Sequence, residues 1–211
     1  MWCLSLVVMR CQPLRRALCI RSIFLTYKRV VANSTVVTYN WMLKAAKLQL
    51  VQAQATEEAR MFSTMSTLLY SAFALEAYFN HLGAIKVEDW LRRERRLSKR
   101  KKLEFLLETI GLDLDSSSEP VSAVVFVFKF RDMLAHGRTE SLVSGEIIVS
   151  SDYKASQVLP DAEWQQYCTL SKAESVYRNT KMLIEQMHEA AGLGKYPFLR
   201  YQGGSISETN A

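Results

Sequence analysis

Between Tyr39 and Leu82 the chain contains neither proline nor glycine. That absence restricts the fold more than any other feature, because the two residues that break helices are missing while apolar side chains recur at helical intervals. Met61, Met65, Leu68, Ala72, Leu75, Phe79 and Leu82 follow one another at alternating spacings of four and three. At 3.6 residues per turn they line one face and make a sustained core stripe. The stretch therefore reads as a long helix, with a break near Gln54 to Thr56 and a stop at Gly83. A chain of 211 residues has room for one substantial core, and the low counts of Gly 8 and Pro 4 suit further helices.

Those further helices have start and stop signals. Ser98 is placed to cap a short helix whose buried face is Leu103, Leu106, Leu107 and Ile110, ended by Gly111. Ser116 to Pro120 combines hydroxyls, an acid and a proline, a helix start. The following residues, Val121 to Phe130, have strand propensity, but Val121, Val124, Val125 and Phe128 fit one helical face and Phe126, Phe130 and Leu134 another. A helix apolar on two sides is expected at the centre of the bundle. Leu142 to Val149 holds a Ser144-Gly145 turn between apolar runs and reads either as a small hairpin or as a long loop. A last helix is expected from Asp161 to Ala191, with Tyr177, Thr180, Ile184, Met187 and Ala191 as its stripe and Gly192 as its stop. Beside that stripe, His188 reads as a surface or internally satisfied histidine.

The net charge of +6 suggests a polyanionic partner until it is located. Residues 1 to 38 form a basic segment without a single acid; six of the 27 basic residues lie within residues 1 to 40, and the other 21 are balanced by 21 acids. This segment reads as an organelle presequence, a flexible arm or upstream sequence from a misplaced start, and residues 193 to 211 read as a mobile tail. The bundle is accordingly expected over residues 39 to 192. Cys3, Cys11 and Cys19 also fall in the N-terminal segment, and no Cys or His spacing suits a metal or a disulfide framework. A reducing, cytoplasmic location without cofactor, metal or membrane partner is the expectation.

Within the body, basic charge concentrates between Lys86 and Lys102. Arg92, Arg93, Arg95, Arg96, Lys99, Arg100, Lys101 and Lys102 face only Glu88, Asp89 and Glu94 there. The run is either a solvated face or a patch that attracts RNA phosphates. Chemistry-bearing residues appear at the end of the expected central helix, where Arg131 and His136 stand five apart in Phe130-Arg131-Asp132-Met133-Leu134-Ala135-His136-Gly137. Five residues turn a helix by about 140° and advance it roughly 7.5 Å, so the two side chains can converge on something the size of a phosphate. Asp132 and His136 are i, i+4, which would let the carboxylate hold the imidazole. Glu76 and Asn80 sit on the edge of the long apolar stripe and are either solvated or turned towards Arg131 and His136.

Leu69 to Asn80 with its acidic helix, a charged connection, a short helix and then Phe130 to Gly137 together resemble the HEPN superfamily of small helical bundles, over about residues 40 to 191. The motif of that superfamily is an arginine, four to six residues and a histidine, often with a polar residue directly after the arginine; Arg131, Asp132 and His136 match it. The resemblance implies an all-α, antiparallel helical bundle that often dimerises. In many members it implies a metal-independent endoribonuclease of the toxin or defence type, here with Arg131 and His136 catalytic, Asp132, Glu76 and Asn80 supporting, and an antitoxin or other protein as a further partner. Active members often carry asparagine where Asp132 stands. Other members bind nucleotides or serve as dimeric interaction modules, which keeps a non-catalytic function open.

Overall fold

The computed structural model describes residues 28–154, 158–199 and 202–210. Its element order is β1 (Lys28–Val36), α1 (Thr38–Ala55), α2 (Arg60–Lys86), α3 (Trp90–Arg93), a 3-10 turn (Glu94–Arg96), α4 (Lys99–Ile110), α5 (Glu119–Ala135), α6 (Glu163–Gln166), α7 (Leu170–Ala190) and β2 (Gln202–Asn210). The described residues divide into a larger unit, within residues 34–204, and a smaller one that holds residues 28–33 and 205–210. The larger unit is a helical bundle. In the smaller unit β1 and β2 pair, with Lys28 Nζ 2.6 Å from Glu208 Oε2 and the Ser207 hydroxyl donating to the Val31 carbonyl. The expectations for residues 1 to 27, including Cys3, Cys11 and Cys19, lie outside the described residues.

Helix α2 occupies the middle of the bundle and touches α1, α3, α4, α5 and α7. Its expected stripe is buried from Leu68 through Ala72, Leu75 and Phe79 to Leu82. A second buried side, not foreseen, carries Ser63, Thr64, Thr67 and Ser71. Burial is tolerable there because the hydroxyls bond within their own helix: Thr67 Oγ1 donates to Ser63 O at 2.9 Å and Ser71 Oγ to Thr67 O at 2.8 Å. The expected central position of α5 is thus corrected. Val124, Val127, Phe128 and Phe130 are buried, but Val125 is exposed, so only one side of α5 is core.

The break between α1 and α2 falls at residues 56–59, where Ala59 adopts φ 55° and Thr56 Oγ1 accepts the Glu58 N–H. Gly83 does not stop α2, which continues to Lys86; Trp90 packs against Gly83 so closely that a side chain there would strike the indole ring. Ser98 caps α4 by accepting the Lys101 N–H, and Gly111 ends it at φ 67°, a conformation that favours glycine. The single helix expected from Asp161 to Ala191 is two helices, α6 and α7, with Thr169 capping the second. Leu142 to Val149 forms no hairpin; these residues are exposed and without strand pairing. Past α7 the chain stays in contact with the body: Pro197 is buried and its carbonyl accepts both Tyr39 Oη, at 2.9 Å, and Asn40 Nδ2, at 3.0 Å. Strand β2 then lies within the segment, residues 193 to 211, that was expected to be a tail. Among the described residues no helix is long and apolar enough to cross a membrane.

Candidate functional site

Arg131 is carried by the same side of α5 that buries Val127 and Phe128, so its side chain is drawn towards α2 rather than into water. It meets Glu76 there, with Nη2 donating to Oε2 at 3.0 Å, and its own neighbour Asp132 approaches Nη1 at 3.2 Å. Only 19% of the Arg131 side chain is exposed, and among the described residues its buried Nε finds no acceptor. Asp132 Oδ1 also accepts from Lys99 Nζ at 2.8 Å, which ties the first turn of α4 to the last turns of α5. The Lys99 ammonium stands 5.6 Å from the centre of the Phe128 ring, a cation–π contact that helps fix it.

One turn along α2 from Glu76, Asn80 Oδ1 accepts from Lys102 Nζ at 3.2 Å, and Glu94 lies 3.8 Å from the same ammonium. Glu76, Asn80, Glu94, Lys99, Lys102, Arg131 and Asp132 therefore form one polar seam joining α2, α4 and α5. Its three cations are balanced by three carboxylates. An open depression of about 510 Å³ lies over part of the seam, bounded by Glu76, Ser98, Lys99, Lys102 and Asp132 among others.

His136 is outside this seam. It forms the C-cap of α5, with φ −112° and ψ 13°, and its backbone N–H donates to Asp132 O at 3.0 Å. The residue is exposed, and among the described residues its ring makes no hydrogen bond. The expected Asp132–His136 pair is not formed, because Asp132 is held by two cations, Lys99 and Arg131, which offer full charges in a half-buried setting. Glu76 does meet Arg131 as one of its two readings foresaw, while Asn80 meets Lys102 instead.

The eight cations of the basic run separate into different roles. Lys102 is buried and Lys99 half-buried, so both are seam residues rather than open phosphate contacts. Arg92 pairs with Asp89 at 3.1 Å and Arg100 with Glu104 at 2.8 Å, while Arg93 lies over the Phe105 ring. Arg95, Arg96 and Lys101 are exposed and have no acidic partner among the described residues. Glu94 was not singled out by sequence; its being an acid inside a basic run was the available signal.

A second cluster, of Tyr39, Tyr78, His81 and His188, was also missed. Tyr78 Oη lies 3.5 Å from His188 Nδ1, and the Tyr39 ring meets the Tyr78 ring edge-on at 5.1 Å. Burial, joined for His81 by the nearby His188, pushes both imidazoles below their usual range and so favours the neutral form. Burial also pushes the Cys168 thiol up to about 11, which keeps it from acting as a thiolate nucleophile near neutral pH. Among the described residues no three His, Cys, Asp or Glu side chains are grouped to hold a metal ion. Comparison with protein-family models, with curated proteins and with solved structures finds no match in any of the three.

Proposed function

We infer that this chain is an RNA-cleaving protein of the toxin or defence type, with Arg131 and His136 as its catalytic pair and a twofold dimer as the working form. The observation that carries this reading is the contrast at one end of α5: a guanidinium oriented by Glu76 and Asp132, followed one turn later by an imidazole that is exposed and unengaged. In the reaction, the 2'-hydroxyl gives its proton to one His136 as its oxygen bonds to phosphorus. The bond from phosphorus to O5' breaks as O5' takes a proton from the second His136 of the dimer, leaving a 2',3'-cyclic phosphate and a 5'-hydroxyl. Arg131 stabilises the extra negative charge on the five-coordinate phosphorus, since its orientation is set before substrate arrives. Arg95, Arg96 and Lys101, exposed and unpaired, draw the RNA backbone.

A second reading has an observation of its own. Both acids nearest Arg131 are already bonded to it and the seam is neutral, which suits a non-catalytic dimeric interaction or nucleotide-binding module in which these residues only hold three helices together. Incubating the purified chain with total RNA in EDTA separates the two. Cleavage products ending in 2',3'-cyclic phosphate, abolished in His136→Ala, support the nuclease; intact RNA at micromolar protein supports the module.

A further inference from the structure

We propose that the groove between α4 and α5 is a subsite for one unpaired nucleobase, guanine best, next to the phosphate position at the seam; this deepens the nuclease reading and rests on it for the position of the phosphate. The groove has a volume of about 320 Å³ and is more enclosed than the depression over the seam. That is the low end of the range for small-molecule sites, about 300–1,000 Å³, which suits a single base or nucleotide rather than a helix of another protein. Leu103, Leu107, Val124 and Phe128 give it apolar walls that would cover the two faces of a flat ring. Lys99, Arg100 and Phe128 line both the groove and the seam depression, so the two are adjacent and share a cationic boundary. A nucleotide with its base in the groove would bring its phosphate to that boundary, where it would have to share Lys99 with Asp132 and Arg100 with Glu104.

The remaining lining residues distinguish a base from an acyl chain. Glu104 and Ser116 also line the groove and are exposed, so they give it a polar edge that a hydrocarbon would not use. Arg100 Nε donates to Glu104 Oε1 at 2.8 Å, and among the described residues Oε2 makes no hydrogen bond. A carboxylate accepts only, so it selects a base edge that donates. Guanine presents two adjacent donors, N1–H and the N2 amino group, on its Watson–Crick edge, whereas uracil presents one and the other two bases an amino group beside an acceptor. A base read on that edge is unpaired, so the substrate is single-stranded or looped RNA.

The test uses the full chain and the four nucleoside 5'-monophosphates, titrated at low salt and followed by calorimetry. GMP is expected to saturate and to bind at least ten-fold more tightly than UMP. Val125→Trp fills the groove from its exposed side without entering the core, and should raise the GMP Kd ten-fold or more while the thermal midpoint holds. Glu104→Gln should erase the preference for GMP. The subsite is overturned by absence of saturable binding for all four, by GMP binding indifferent to Val125→Trp, by tighter binding of decanoate than of GMP, or by a Val125→Trp effect confined to self-association. Failure of the nuclease reading looks different: GMP binds as stated while total RNA stays intact. Cleavage that proceeds without base preference and without monophosphate binding removes the subsite alone.

Discussion

Arg131 is a half-buried charge whose stability depends on Glu76, since its Nε already lacks an acceptor among the described residues. Glu76→Gln keeps the shape and removes the countercharge; it should cost about 1–2 kcal/mol, less than breaking a fully buried pair because Glu76 is partly hydrated. A urea unfolding midpoint unchanged from the parent would show that the pair contributes nothing. Two histidines, His188 buried and His81 half-buried, supply a second prediction, with a sign that follows from their direction of shift. His81 and His188 are held below the ordinary 6.5, so as pH falls the unfolded chain binds protons first. Their contribution is intact above 6.5 and is lost as pH falls through the lower folded values. The thermal midpoint should be flat from pH 8 to 7 and fall between pH 6.5 and 5, above the range in which the lowered carboxyls of Asp115 and Glu163 titrate. His188→Gln should shrink that slope, and an equal slope in both proteins would remove the assignment. What was legible at this scale followed chemistry along one helix: Glu76 and Asn80 stood out as polar residues beside an apolar stripe. Lys99 did not, because nothing in a run of like cations marks the one that folds back to Asp132. Nor did Tyr78 and His188, which meet across 110 positions.

Helices were legible where cap and periodicity agreed, as in α4, or where Pro120 and Glu119 marked the start, as in α5, and illegible where one residue type serves two purposes. A glycine after an apolar stripe reads as a helix stop, yet Gly83 lies inside α2 to admit Trp90. Replacing it by alanine would gain roughly 1 kcal/mol of helix propensity. The added Cβ would fall closer than 3.0 Å to ring atoms of an indole that is itself 3% exposed. Overpacking of that kind costs about 1–3 kcal/mol, so Gly83→Ala should lower the thermal midpoint. The same change in a Trp90→Leu background should be neutral or stabilising, because the obstructing ring is gone; additive effects would mean that the two residues do not touch in solution. The missed break at residues 167–169 has a similar origin. The sequence from Asp161 has no proline or glycine before Gly192, and what interrupts it is a local cap, Thr169, of the kind that also occurs within helices. Leu142 to Val149 has the composition of a hairpin but no apolar surface to lie on, and without one an isolated pair of strands is marginal.

Assembly decides whether the seam and His136 can do chemistry. One chain provides a single imidazole near Arg131, whereas transfer through a cyclic phosphate needs a base for O2' and an acid for O5'. A twofold contact through the end of α5 duplicates both groups without new sequence, because an isologous interface sets the same patch of each copy face to face. The charge balance permits it. In the proposed dimer Arg131 and Lys99 would meet their copies already neutralised by Glu76 and Asp132, so the approach of two seams would not be the collision of two cationic clusters. Binding of an RNA phosphate then has to draw Arg131 away from one of its acids, and Asp132, which Lys99 can retain, is the one more easily released. Asp132→Asn should therefore raise activity several-fold at limiting RNA by removing a charge that competes with phosphate, measured at protein concentrations where light scattering still gives the dimer, because Lys99 loses its carboxylate. Light scattering of the full chain across a concentration series should give twice the mass of 24.1 kDa at micromolar concentrations. Mixing an excess of His136→Ala chains with parent chains should lower activity below that of the parent chains alone, since a mixed dimer holds one imidazole where the reaction needs two. A strictly monomeric chain that still cleaves RNA, or parent activity undiminished by His136→Ala chains that exchange subunits with it, would rule out the composite site.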